Sequence, residues 1–170
     1  MESKAKVAGH PLHQMLIAFP VGLLGTAAIF DGIQAATGDE RWAEASDYMI
    51  GAGVVSGVAA AVPGLIDFLA IPDGTRAKKI GLVHAVGNAA VLGMFAASWA
   101  MRREYPGNPS GAAKALSFGG MALSVVTGWL GGELVDRLGV GVYDGANLNA
   151  PSSLSGRPAI EPHVRRDLVA

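Results

Sequence analysis

Long apolar runs with no Asp, Glu, Lys or Arg set the pattern of this chain. They fill the gaps between Lys6 and Asp31, Asp47 and Asp67, Lys79 and Arg102, and Lys114 and Glu133, which are 24, 19, 22 and 18 residues long. A helix rises about 1.5 Å per residue and the hydrocarbon core of a bilayer is about 30 Å thick, so each gap has the length of a crossing. Segments such as Val54 to Ile66 and Ala89 to Trp99 show no recurring polar face, which the surface helices of a soluble bundle require. The pattern predicts an all-α fold, a four-helix antiparallel transmembrane bundle with short loops.

Turn and breaker residues place the helices. Pro11 suits a first helical turn, where its missing amide has no intrahelical partner, so helix 1 is expected from Pro11 to Ala35. Thr37-Gly38-Asp39-Glu40 reads as a turn and Trp42 to Asp47 as an interfacial approach to helix 2, Tyr48 to Leu69. Pro72-Asp73-Gly74 ends it. Helix 3 is expected from Ile80 to Met101, and Pro106-Gly107-Asn108-Pro109 separates it from helix 4, Ala112 to Leu138. No apolar periodicity follows Gly139. Residues 1–142 are therefore read as a membrane domain and 143–170 as an irregular cytoplasmic tail, in which His163 is solvated. The first run exceeds a signal-peptide core and carries no small-residue cleavage motif, so it is expected to stay as a helix.

Composition supports this and closes other routes. The hydrophobic fraction is 51%, the charged fraction 16% and the mean hydropathy +0.36. Twenty-four glycines would weaken soluble helices, but in lipid small residues four apart allow close backbone approach. Gly53/Gly57, Gly57/Ala61, Gly93/Ala97 and Gly128/Gly132 have that spacing, and the small-residue faces they create make a homo-oligomer an expectation. Trp42, Tyr48, Trp99, Tyr105 and Trp129 fall near helix ends and read as an aromatic belt. No cysteine is present, which removes thiolate metal sites from this chain. A net charge of −1 gives no electrostatic case for nucleic acid. Basic residues favour the cytoplasmic side, and nine against four on the two sides predict both termini in the cytoplasm.

Antiparallel threading brings ionisable residues to one face. The start of helix 1 carries His10 and His13, the end of helix 2 Asp67, the start of helix 3 His84, and the end of helix 4 Glu133. Ionisable groups in spans are costly, so they turn inward to find partners or do chemistry. Imidazole ligates zinc, copper and iron, and paired histidines on facing helices can hold a haem iron axially. His13 and His84 match best in depth and are the expected cofactor ligands; His10, Asp67 and Glu133 are further candidate metal ligands. His10 could instead cap its helix or face solvent, and the whole cluster could be structural. Asn88 lies one turn after His84 on the same face, Asp31 near Gln34 reads as an interfacial or interhelical hydrogen-bond partner, and Glu133 with Arg137 reads as a local ion pair.

His10-Pro11-Leu12-His13, Phe19-Pro20-Val21-Gly22-Leu23, Pro63-Gly64-Leu65-Ile66-Asp67, His84 with Asn88, and Gly128-Trp129-Leu130-Gly131-Gly132-Glu133-Leu134-Val135 before Gly139-Val140-Gly141-Val142 together resemble the bacterial membrane-protein family called domain of unknown function 2231. The resemblance covers Gly9 to Val142. It implies a four-helix membrane domain without an assigned activity, in the plasma (inner) membrane; some relatives are fused to Rieske-type iron–sulfur domains, which implies a redox role. Asp136 and Leu138 stand where the family pattern has an aromatic residue and often a histidine. The leading expectation is a protein that binds haem b or a transition metal ion at the histidine/carboxylate cluster and transfers electrons to or from a redox protein partner. The alternative is a non-enzymatic membrane module, a partner subunit or a small transporter or channel component.

Overall fold

The computed structural model describes residues 1–157. A short antiparallel hairpin, β1 (Lys6–Val7) and β2 (His10–Pro11), leads into α1 (Leu12–Leu16) and α2 (Ala18–Thr37). These two helices are one span broken at Ile17. Pro20 accounts for the break, because it has no amide to offer the carbonyl of Leu16. Hydrogen bonds on either side persist, from Ile17 N to His13 O at 3.1 Å and from Val21 N to Ile17 O at 3.2 Å. Next come α3 (Glu40–Ala70), α4 (Arg76–Met101) and α5 (Gly111–Gly132), which runs on into a π-helical turn, Glu133–Arg137. Among the described residues four helical segments are long and apolar enough to cross a membrane, as the charge gaps predicted.

Capping side chains move two starts outward from their expected positions. Asp39, Thr75 and Ser110 accept hydrogen bonds from the amides of Arg41, Lys78 and Ala113, satisfying donors that have no intrahelical acceptor. Helix α3 therefore begins at Glu40 rather than Tyr48, and α4 at Arg76 rather than Ile80. The 31 residues of α3 extend about 46 Å, longer than a hydrocarbon core. Residues 40–47 are thus a helical extension and not an irregular approach. The Arg41 side chain, then its amide, hold the Asp39 carboxyl below its ordinary pKa. Gly38 ends α2 at φ 73°, with its amide 2.8 Å from Gln34 O, a left-handed position that suits glycine.

Helix α2 pairs with α3 and α4 with α5; the two hairpins join through α3–α4 and α2–α5. Leu24, Ala27, Ile50, Val91 and Phe95 form the buried core. Glycine sets the closeness of the joins. A Cβ on Gly53 would lie 2.5 Å from Leu24 Cδ2, and one on Gly57 2.5 Å from Leu92 Cδ2. The other expected pairs do not work this way: Ala61, Gly93, Ala97 and Gly128 are exposed, and a Cβ on Gly93, Gly128 or Gly132 meets nothing within 4 Å. Tyr48, Tyr105 and Trp129 face outward as expected of a belt, but Trp42 packs on Phe30 and Trp99 lies against Gly51 and Arg103.

At the end of the bundle remote from the N-terminus lies a buried ion pair that the sequence pattern only half revealed. Arg102 Nη1 and Nη2 donate to Asp31 Oδ1 and Oδ2 at 2.7 and 2.5 Å, and both side chains have 0% exposure. Ser98 Oγ accepts from Nε and Nη2, each at 3.2 Å, while Ser46 Oγ lies 3.4 Å from Nη1. Lys114 donates to Gln34 nearby, at 2.5 Å. Asp31 is thus an interhelical partner, as its place near Gln34 led one to expect, and Arg102 is its counter-charge.

The N-terminus is also tied down. Met1 and the segment after α5 exchange backbone bonds, Met1 N to Gly139 O at 2.8 Å and Gly141 N to Met1 O at 2.9 Å. Residues 139–157 are irregular apart from a 3₁₀ turn at Ser153–Ser155. His163, Arg165 and Arg166 lie outside the described residues.

Two outcomes follow for stability in detergent. Asp31→Ala or Arg102→Ala alone should each cost about 3–5 kcal/mol, because each strands a buried charge, whereas Asp31→Leu with Arg102→Met should recover most of it. Thermal unfolding measures this, and single variants that melt like wild type contradict it. Gly57→Ala should cost about 1–3 kcal/mol by overpacking against Leu92, while Gly93→Ala, open to the outside, should be neutral or stabilising by up to about 1 kcal/mol.

Candidate functional site

The broken first span brings His13 to the N-terminal end of the bundle, on the second residue of α1. His84 reaches the same level from α4, and the two rings lie 6.4 Å apart between centroids at an interplanar angle of 87°. They meet as their depth in the sequence predicted, although α4 starts a turn earlier than expected.

Each ring is held by a backbone carbonyl of the neighbouring helix. His13 Nδ1 is 2.8 Å from Ala60 O on α3, and His84 Nδ1 is 2.9 Å from Thr127 O on α5. A carbonyl oxygen only accepts and has two lone pairs, so it can take an imidazole N–H beside its own helical bond. Both Nδ1 atoms are therefore protonated donors. In a neutral ring this leaves each Nε2 with its lone pair outward from that bond.

Glycine makes room for both rings. Gly64 and Gly131 stand four positions after Ala60 and Thr127, one turn along the same helices. A Cβ on Gly64 would fall 2.7 Å from His13 Nδ1, and one on Gly131 would fall 3.1 Å from His84 Cε1. The same arrangement, a carbonyl followed one turn later by a glycine, thus serves one histidine in each helical hairpin.

The halves differ at the next turn. Asn88 Nδ2 donates to His84 O at 2.8 Å and lies 3.3 Å from His84 Nε2. Its Oδ1 accepts from Thr127 Oγ1 at 3.1 Å, which fixes the amide with nitrogen toward the imidazole. The position one turn after His13 is Ile17, and no hydrogen-bond partner reaches His13 Nε2 among the described residues.

The remaining candidates do not join the pair. Asp67 is buried, but its carboxylate faces the N-terminal segment. Ser3 Oγ donates to it at 2.7 and 2.9 Å, and the amides of Lys4 and Ala5 at 2.6 and 3.3 Å. Glu133 binds Arg76 at 2.7 Å across helices rather than Arg137. His10 is exposed on β2, with Nε2 3.3 Å from Ser153 Oγ, and neither caps a helix nor reaches the pair. Among the described residues no three His, Asp or Glu side chains converge as a metal-binding set. The five-residue cluster expected from topology is thereby reduced to two imidazoles, because backbone amides and an arginine satisfy the acids.

The family profile described as predicted membrane protein (DUF2231) matches residues 9–144. The chain belongs to that family. No curated protein and no solved structure matches the chain. As a DUF2231 membrane protein, it turns the exposed apolar side chains of its four spans, such as Val58, Leu65, Val86 and Val125, toward the lipid bilayer.

Ala60, Gly64, Thr127 and Gly131 escaped the sequence reading as parts of the site. The signal was faint: a threonine and two glycines at the depth of the histidines. Gly64→Val should push His13 off the Ala60 carbonyl and cost about 1–3 kcal/mol. Thermal unfolding in detergent, with a Gly22→Val control where a Cβ meets nothing within 4 Å, checks this; equal loss at both positions contradicts it.

Proposed function

We propose that this domain binds a haem through His13 and His84 and carries electrons at one face of the membrane. The observation that supports this reading most is the pair of Nδ1–carbonyl bonds. Histidines that ligate metals almost always donate their other ring N–H to a carboxylate, carbonyl or water, which fixes tautomer and orientation. Here both rings have that second bond already.

The ring centres lie 6.4 Å apart, close enough for both imidazoles to reach one group held between them. Two imidazoles would suffice as protein ligands to a haem, whose macrocycle would supply the remaining donors. A bare transition ion would require more donors than the pair offers. When bound, haem supplies one-electron chemistry; His13 and His84 would hold its iron. The excess of basic residues at the N-terminal face supports a cytoplasmic placement of that face, where a redox protein would be the partner.

Protein purified in detergent from haem-replete cells should show a Soret band that shifts on reduction, with about one haem per chain. His13→Ala and His84→Ala should each abolish low-spin ligation while leaving the helical circular-dichroism signal in place. Colourless protein that takes up no added hemin contradicts the reading.

A further inference from the structure

The two histidines are not equivalent, and the difference rests on one side chain. His84 Nε2 faces the Asn88 amide at 3.3 Å, while Ile17 stands at the matching position after His13. Asn88 turns its nitrogen rather than its oxygen toward the ring, because Nε2 and the His84 carbonyl both accept there and Oδ1 lies 3.1 Å from Thr127 Oγ1. Thr127 is itself buried, its carbonyl accepts from His84 Nδ1, and its methyl packs so tightly on α4 that a Cβ on Gly87 would lie 2.5 Å away. His84, Asn88 and Thr127 thus close a ring of hydrogen bonds in which both imidazole nitrogens are occupied.

We infer that Asn88 is a gate on the haem site: it holds the ligating nitrogen of His84, which must leave it before it could hold a haem. This rests on the haem reading above. Among the described residues His13 Nε2 has no such partner. On release the amide keeps its bond to the His84 carbonyl at 2.8 Å, so opening the gate gives up only the weaker, longer contact. Thr127 also has a second acceptor, Ser124 O at 3.2 Å, so loss of the Asn88 oxygen does not strand its hydroxyl. Asn88 acts through His84 and is a positioning residue. Its effect is to lower affinity and keep part of the bound haem ligated by His13 alone.

The test uses hemin titrated into wild type, Asn88→Leu and Asn88→Ala, each full-length in detergent and checked for native helicity by circular dichroism. Removing a neutral hydrogen bond from the competing nitrogen should tighten hemin binding about five- to tenfold in both variants. Their spectra should show a larger low-spin fraction than wild type. Before hemin is added, the 15N resonance of His84 Nε2 should move on substitution, and that of His13 should not. If all three proteins bind hemin with equal affinity and equal spectra, the gate is wrong and the haem reading stands. If none binds, both are wrong.

Discussion

Hydrocarbon offers a polar group no partner, so donors and acceptors placed in a span gain by finding one inside the protein; among the buried side-chain atoms of the described residues only the Ser117 hydroxyl on α5 lacks one. Much else in this bundle depends on that constraint. It is met at the two ends in different ways. At the far end two full charges neutralise each other, Asp31 with Arg102, inside a frame of serine hydroxyls. At the N-terminal end imidazoles reach across to helical carbonyls. Between them lies a core with no such requirement, made of Leu24, Ala27, Ile50, Val91 and Phe95.

The two imidazole contacts have a structural result of their own. One joins α1 to α3 and the other α4 to α5, so each fastens a hairpin, and the meeting of the rings fastens hairpin to hairpin. Pro20 is part of this design. It removes the hydrogen bond that would join α1, which carries His13, to α2 at Leu16.

The spans were legible in the sequence because charge is so costly in lipid that its absence marks them. The meeting of His13 and His84 was legible because antiparallel threading fixes which ends share a level. Helix starts were misplaced where charged residues continue a helix beyond the bilayer: nothing about Arg41 or Glu44 forbids helix, and the capping roles of Asp39 and Thr75 decide the matter. Asp67 and Glu133 were brought to the right level but given the wrong neighbours. Their actual partners, the amides of residues 4 and 5 and the Arg76 side chain, depend on how a short segment folds back and on a π-helical turn, and neither leaves a trace in hydrophobic periodicity. The carbonyl acceptors could not be seen either, since every residue has one.

Solid-state NMR on protein reconstituted in lipid, labelled with 15N at His13 Nδ1 and 13C at the Ala60 carbonyl, addresses the tie on which this account rests. A protonated Nδ1 with a dipolar coupling that corresponds to about 4 Å or less is the result expected from a hydrogen bond between them. An unprotonated Nδ1, or a pair with no measurable coupling, would contradict it.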